Sequence, residues 1–214
     1  MALMVNEIFY SLQGESTHAG RPCVFVRLSG CNLRCAYCDS AHAYEPGRSR
    51  RIDWIVELVQ SYGVGLVEIT GGEPLMQADT PRLARRLLDN DFQVLVETNG
   101  SLDIDLVSTR CTRVVDIKCP SSGEEASNDL QNLNRLTPGD ELKFVIGDEA
   151  DYAFACGIIE SFEARKHVGP IHFAPVFGRQ PARDLARWIL DDRLDVRLQL
   201  QIHKQIWDPD QRGV

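Results

Sequence analysis

Three cysteines, Cys31, Cys35 and Cys38, fall within eight residues in the spacing C-x3-C-x2-C. Thiolates this close on one loop can turn toward a common centre, and the thiolate is the metal-ligating form of cysteine. Four arrangements compete. The thiols stand together by chance, although three in eight residues is far above ordinary usage. They form a structural zinc site with His42 as fourth ligand, although such sites more often pair two C-x2-C knuckles and this chain has one. Cys35 and Cys38 act as a redox dithiol, which the third thiol would mispair. Or they hold an iron–sulfur cluster. A 4Fe–4S cube normally takes four cysteines; with three, one iron stays open to bind a ligand, much as a catalytic zinc keeps an open position.

These residues need a scaffold, and the pattern of apolar runs supplies one. Runs at residues 5–10, 23–29, 66–70, 92–97, 113–118, 141–146, 171–174 and 196–201 read as strands. Between them, helices are expected over about 53–62, with Asp53 as cap and Gly63 as stop, from Thr80 and Pro81 to Leu88, over 148–162 and over 181–190. A short helix is expected over 104–108, a connecting loop over 44–51 and an irregular segment over 119–138. Strands alternating with helices mean βα units around a mainly parallel sheet. Polar or glycine-rich clusters follow the strands: the cysteine loop, Gly71 to Pro74, Glu97 to Gly100, Asp116 to Lys118, and Gln201 to His203. In a parallel α/β sheet those ends share one face, and sites are built there. Seven or so strands fall short of a closed eight-stranded barrel, so the expected fold is α/β, an incomplete TIM-like βα barrel. An open doubly wound sheet is the alternative.

The bulk composition narrows the class. The chain has 214 residues, enough for one sizeable domain, and a net charge of −8 excludes a whole-protein basic field for nucleic acid. No apolar run reaches the length of a membrane span, and the first residues lack a basic stretch followed by an apolar core. Seven cysteines without an export signal point to reduced thiols or a metal site, and the expected location is cytoplasmic. Cys23, Cys111, Cys119 and Cys156 are scattered and read as core or loop thiols.

The cysteine loop after one core strand, followed by Gly71-Gly72-Glu73-Pro74 after the next, resembles the radical S-adenosylmethionine superfamily. The resemblance extends over nearly the whole chain, through Leu12-Gln13-Gly14-Glu15, Arg27, Gly30-Cys31, Cys38-Asp39-Ser40, Thr70, Glu97 to Gly100 and Gln201 to Lys204. Together these look like the 7-carboxy-7-deazaguanine synthase family. The resemblance implies a lyase in 7-deazapurine and queuosine biosynthesis. A 5′-deoxyadenosyl radical, made from S-adenosylmethionine at a reduced 4Fe–4S cluster, would drive ring contraction of 6-carboxy-5,6,7,8-tetrahydropterin with loss of ammonia. Magnesium would assist, an external flavodoxin-like donor would supply electrons, and the chain would form a homodimer without nucleic-acid or membrane partners. It would be a single radical SAM domain over 1–214, with a substrate-contacting segment at about 1–22 and a last strand plus tail at about 195–214.

Carried over residue by residue, Cys31, Cys35 and Cys38 match the cluster ligands and Ser40 the magnesium position. Tyr37, Cys38, Asp39 and Gly72 match cofactor contacts, with Asp116 and Lys118 also toward the cofactor. Leu12, Gln13, Gly14, Glu15, Arg27, Thr70 and His203 match the substrate pocket. Physically, a guanidinium such as that of Arg27 can grip a carboxylate with two hydrogen bonds, and a serine hydroxyl is a hard oxygen ligand of the kind magnesium takes. Three features depart from the family pattern: Asp116-Ile117-Lys118 replaces a Ser-Pro-Lys segment, Ala174-Pro175-Val176-Phe177 replaces a Gln-Pro segment, and five residues follow Pro209. Two other functions compete: an activating enzyme that installs a radical on a partner protein, and a non-enzymatic zinc module. The first has no need of Leu12 to Glu15, Arg27 and His203 as a small-molecule pocket. The second has no use for Gly71 to Pro74.

Overall fold

A computed structural model describes residues 1–163, 169–209 and 211–214. Among them are nine strands: β1 (Ala2–Leu12), β2 (Pro22–Leu28), β3 (Arg48–Arg51), β4 (Leu66–Gly71), β5 (Gln93–Thr98), β6 (Thr112–Ile117), β7 (Glu141–Ile146), β8 (Ile171–Pro175) and β9 (Arg197–Leu198). They make one sheet in the order β3-β1-β2-β4-β5-β6-β7-β8-β9. From β2 through β4 to β9 every neighbour pairs in parallel, while β1 runs antiparallel to both β2 and β3. The end strands β3 and β9 do not pair with each other, so the expected incomplete barrel is the observed fold, with one strand, β3, beyond the eight runs of the sequence.

The helices are α1 (Ile52–Ser61), α2 (Thr80–Leu88), α3 (Asn132–Arg135), α4 (Glu149–Glu163), α5 (Ala182–Asp191) and α6 (His203–Ile206). No helix of the described residues is long and apolar enough to cross a membrane. Strand residues alternate between two faces. One face is almost wholly apolar, with Val24, Val26, Val67, Ile69, Val94, Val96, Val115 and Phe144 buried in a core that also takes Ile55, Val59, Leu83, Leu87, Ala155 and Leu185 from the helices. Each such Val, Leu or Ile contributes on the order of 1.5–3 kcal/mol on burial. The other face is split along its length. Cys23, Phe25, Leu66 and Leu95, with Phe9, form a small apolar cluster near the strand starts. Arg27, Glu68, Thr70, Glu97, Asp116 and Lys143 occupy inward positions further along.

Five sequence expectations are corrected. Residues 48–51, read as loop, form β3, because an edge strand pairs through its backbone with Ala2 to Val5, leaving Arg48 and Arg51 exposed and Arg50 over the Trp54 ring. The last strand is two residues long: Gln199 N–H still bonds the Phe173 carbonyl (2.9 Å), but Ile202 N–H turns to the Gly14 carbonyl (3.1 Å). Asp53 does not cap α1; it lies inside the first turn, where its charge favours the helix dipole and pairs with Arg86 (3.2 Å). The segment after Asp103 is a single 3-10 turn, Ile104–Leu106. Within residues 119–138 the chain is more regular than expected, with two 3-10 turns and α3. The buried Asn132 amide pins α3 to the carbonyls of Gly100 and Leu102 (3.0 and 2.8 Å).

Candidate active site

Leaving β2, the chain reaches Gly30 at φ +91, and the loop that follows is hung on backbone hydrogen bonds from three sides. Gly30 N–H bonds the Ala43 carbonyl (2.8 Å), Glu73 N–H bonds the Gly30 carbonyl (2.8 Å), and Ala36 N–H bonds the Ser122 carbonyl (2.9 Å). The Tyr37 hydroxyl reaches across to the Val145 carbonyl of β7 (3.2 Å). So held, Cys31, Cys35 and Cys38 all line one cavity of about 760 Å³ at the C-terminal ends of the parallel strands. All three thiols are half-buried. Burial pushes the Cys31 and Cys35 thiols up from their ordinary range, so binding a metal would displace their protons.

The donor set fits an iron–sulfur cube better than a single ion. No three His, Cys, Asp or Glu side chains among the described residues are grouped to hold one metal ion. His42, the fourth ligand of the zinc alternative, instead meets Glu7 (3.3 Å). A cube spreads its thiolates over separate irons, whereas zinc draws its ligands within about 2.3 Å of one point. The turn after β4 fits a ligand at the open iron. A Cβ on Gly72 would lie 2.8 Å from the Cys31 Cβ and closer still to the Gly30 backbone, so only glycine leaves that surface of the cysteine loop uncovered. Asp116 adds a demand of its own. Its Oδ2 accepts from Lys118 Nζ (2.8 Å), while its buried Oδ1 has no protein donor among the described residues. A lone buried acceptor on a cavity wall is costly unless a ligand supplies a donor.

Beneath this rim lies a charged floor. Lys143 of β7 pairs with Glu15 and with Glu97 (2.9 Å to Glu97). Burial alone would favour the neutral amine, but the two carboxylates hold Lys143 charged well above its ordinary range. Burial likewise opposes the charge of Glu15, and Lys143 outweighs it, lowering that carboxyl. Glu68 of β4 goes the other way: burial first, then Glu97 and Glu15, raise it well above the usual carboxylate range. Gln13 donates its amide to Glu68, and its amide oxygen accepts from Glu15 N–H (2.9 Å). Glu15 also accepts from Gln199 (3.0 Å) and Gln201 (2.7 Å), so the N-terminal turn and the C-terminal segment share one carboxylate.

All sixteen residues singled out for the site line this one cavity: Leu12, Gln13, Gly14, Glu15, Arg27, Cys31, Cys35, Tyr37, Cys38, Asp39, Ser40, Thr70, Gly72, Asp116, Lys118 and His203. Arg27 is already paired with Glu7 (2.8 Å), and its Nη1 approaches the Ser40 hydroxyl (3.4 Å). Ser40 in turn donates to Asp39 (3.1 Å), which accepts from Lys204 (2.8 Å) and Gln201 (3.0 Å). His203 packs on Gly14, where any Cβ would strike the imidazole. Burial lowers His203, so it is neutral at neutral pH. The reading of single residues missed Glu68 and Lys143, and placed Glu97 only in a cluster after its strand, with no role in the pocket. Their signal was present: each is a charged residue inside an otherwise apolar strand, and a strand buried on both faces tolerates that only where charges meet.

Comparison with known proteins agrees with this geometry. A sequence model described as the Radical SAM superfamily matches residues 25–113. The chain is 45% identical to a 7-carboxy-7-deazaguanine synthase of Koribacter versatilis, over 99% of this chain and 100% of that one. It is 46% identical to the synthase of the same name from Chlorobaculum tepidum, over 99% and 97%. Among solved structures, QueE from Escherichia coli shares the fold with a TM-score of 0.72, covering 94% of each chain at 24% identity.

Proposed function

The chain belongs to the 7-carboxy-7-deazaguanine synthase family, within the radical S-adenosylmethionine enzymes, and we propose that its cavity carries out the family's ring contraction through the residues assembled there. It is a radical lyase that converts 6-carboxy-5,6,7,8-tetrahydropterin to 7-carboxy-7-deazaguanine with loss of ammonia. The observation that carries this reading is the meeting of three thiols, the Gly71-Gly72 turn and a charged floor around one cavity. Bound to Cys31, Cys35 and Cys38, a 4Fe–4S cluster with S-adenosylmethionine supplies the hydrogen-abstracting radical.

The protein's own groups do the rest. Gly72 gives the cofactor close access to the loop, and Asp116 Oδ1 offers an acceptor to one of its hydroxyl or amino groups. Arg27 offers a guanidinium to the substrate carboxylate. Gln13, Glu15, Thr70 and His203 supply donors and acceptors at the edge of a pterin ring, with Glu97 and Lys143 below. Ser40 is the magnesium anchor in this reading. One hydroxyl is a weak hold, so substrate oxygens and water complete the octahedron. The continuous nine-strand sheet supports treating residues 1–214 as one domain. A low-potential flavodoxin-like electron donor, a homodimer and a cytoplasmic location complete the proposal.

The test is anaerobic. Protein reconstituted with iron and sulfide is given S-adenosylmethionine, a reductant, magnesium and the carboxy-tetrahydropterin. Formation of the deazapurine is expected; an intact cluster that cleaves cofactor without making product would refute the substrate assignment. Omitting magnesium should slow turnover, and no dependence would remove Ser40 from its role.

A further inference from the structure

The cysteine nearest the glycine turn has donors of its own. Leu33 N–H lies 3.4 Å from the Cys31 sulfur, and Asn99 Nδ2 lies 3.7 Å from it. An amide side chain can be placed either way round, but here its orientation is fixed by a group that can only donate. The backbone N–H of Ser101 points at Asn99 Oδ1 (3.0 Å), and the Ser101 hydroxyl donates to the same oxygen (2.6 Å). The NH2 group therefore faces the other way, sharing its hydrogens between Cys31 and Asn32 Oδ1 (3.1 Å). Asn99 is itself held from behind. The carboxylate of Glu73, fully buried, accepts Asn99 N–H (2.7 Å) and the Thr98 hydroxyl (3.0 Å). The turn after β4 thus grips the turn after β5, and the second turn aims a donor at a thiol.

The geometry points to Asn99 as a positioning residue that sets the reduction potential of the cluster bound through Cys31, an inference that rests on the cluster reading above. The physical reason is charge. One-electron reduction adds negative charge to the iron–sulfur unit, part of which falls on the ligand sulfurs. An N–H donor to such a sulfur stabilises the reduced form more than the oxidised one, and hydrogen bonds to the sulfurs are among the factors that set these potentials. Asn99 makes no direct contact with the reacting atoms in this role; it acts through Cys31.

The measurement is an equilibrium redox titration of the reconstituted protein, without substrate, followed by the electron paramagnetic resonance signal of the reduced cluster. Asn99→Asp keeps the shape and replaces the donor with a carboxylate. It should leave about tenfold less reduced cluster at a given poise, a shift of ~59 mV to more negative potential for a one-electron couple. Asn99→Ala should shift the same way by less. A residue with only a packing role would lower the unfolding temperature and leave the midpoint where it was, and that result overturns the inference. If either variant fails to retain iron, Ser101→Ala carries the test by the same criterion with a smaller shift in the same direction, since it removes one of the two hydrogen bonds that aim the carboxamide and leaves the Ser101 N–H and the thiol in place. A protein that binds no cluster at all overturns the cluster reading; a cluster indifferent to Asn99 overturns this inference alone.

Discussion

The rim and the floor of the cavity are built in opposite ways. The rim is one stretch of chain, residues 31–40, anchored by backbone hydrogen bonds and by the side chains of Tyr37 and Asp39, with its thiols half-exposed. The floor draws Glu15, Glu68, Glu97 and Lys143 from the turn after β1 and from three separate strands, and holds them by their own charges. The three thiols of the rim are thus left free for a ligand rather than bonded to one another. The floor is a site whose members are each other's partners. Removing one leaves the others buried and unpaired, so its function and its stability are tied together.

The largest effects test that contrast directly. Cys35→Ala should abolish product formation, because an iron loses its ligand, while metal-free protein unfolds within about 1 kcal/mol of the parent. Activity assay and denaturant titration together read both halves, and a large stability loss would show that the loop is structural after all. Lys143→Met should do the reverse in kind. It strands Glu15 and Glu97, and a stability loss of about 3–5 kcal/mol is expected from breaking a buried pair. Retained stability in that variant would mean the floor is wetter and more loosely paired than its geometry indicates.

The same contrast explains what could be read in advance. The rim was legible because its chemistry is contiguous: Cys31, Cys35 and Cys38 announce themselves by spacing, and Gly72 by its place after a strand. The barrel was legible for a similar reason, since apolar runs alternating with helical periods are a local signal. The floor was not. Glu68 and Lys143 stand 75 positions apart and meet only because β4 and β7 both turn that face inward. β3 was missed because edge pairing is satisfied by backbone and leaves no apolar trace at Arg48–Arg51. β9 was overread because an apolar alternation continues through Leu200 after the hydrogen bonds have turned to Gly14.

A smaller effect probes the joint between the two regions. Gly14 lies against His203, and Gly14→Ala drives a methyl group into the imidazole. Overpacking of this kind costs about 1–3 kcal/mol. The expected result is a raised KM for the pterin together with that loss of stability. Adding His203→Ala should restore the stability but not the KM, because the clash goes while the imidazole stays missing. If the double variant is no more stable than the single one, the two residues do not meet as described.

The finest test separates two carboxylates of the same floor whose shifts are opposite in direction. Glu15 is lowered in the folded protein, so its contribution is present above the unfolded glutamate value of about 4.3 and is lost as pH falls below it. Glu68 is raised, because burial and the charges of Glu97 and Glu15 outweigh the pull of Lys143. Its contribution is therefore full below about pH 4.3 and is lost as pH rises from there toward its folded value. Glu68→Gln keeps a neutral side chain of the same shape and removes only that titration. Its stability relative to the parent should climb with pH above about 4.3, by no more than about 1.4 kcal/mol per pH unit for one proton. Acid-side loss through Glu15 should persist in both proteins. Unfolding free energies measured across that range decide the point: a difference between the two proteins that stays flat with pH would mean Glu68 is ionised on the floor, and Lys143 would then have three anions to balance instead of two.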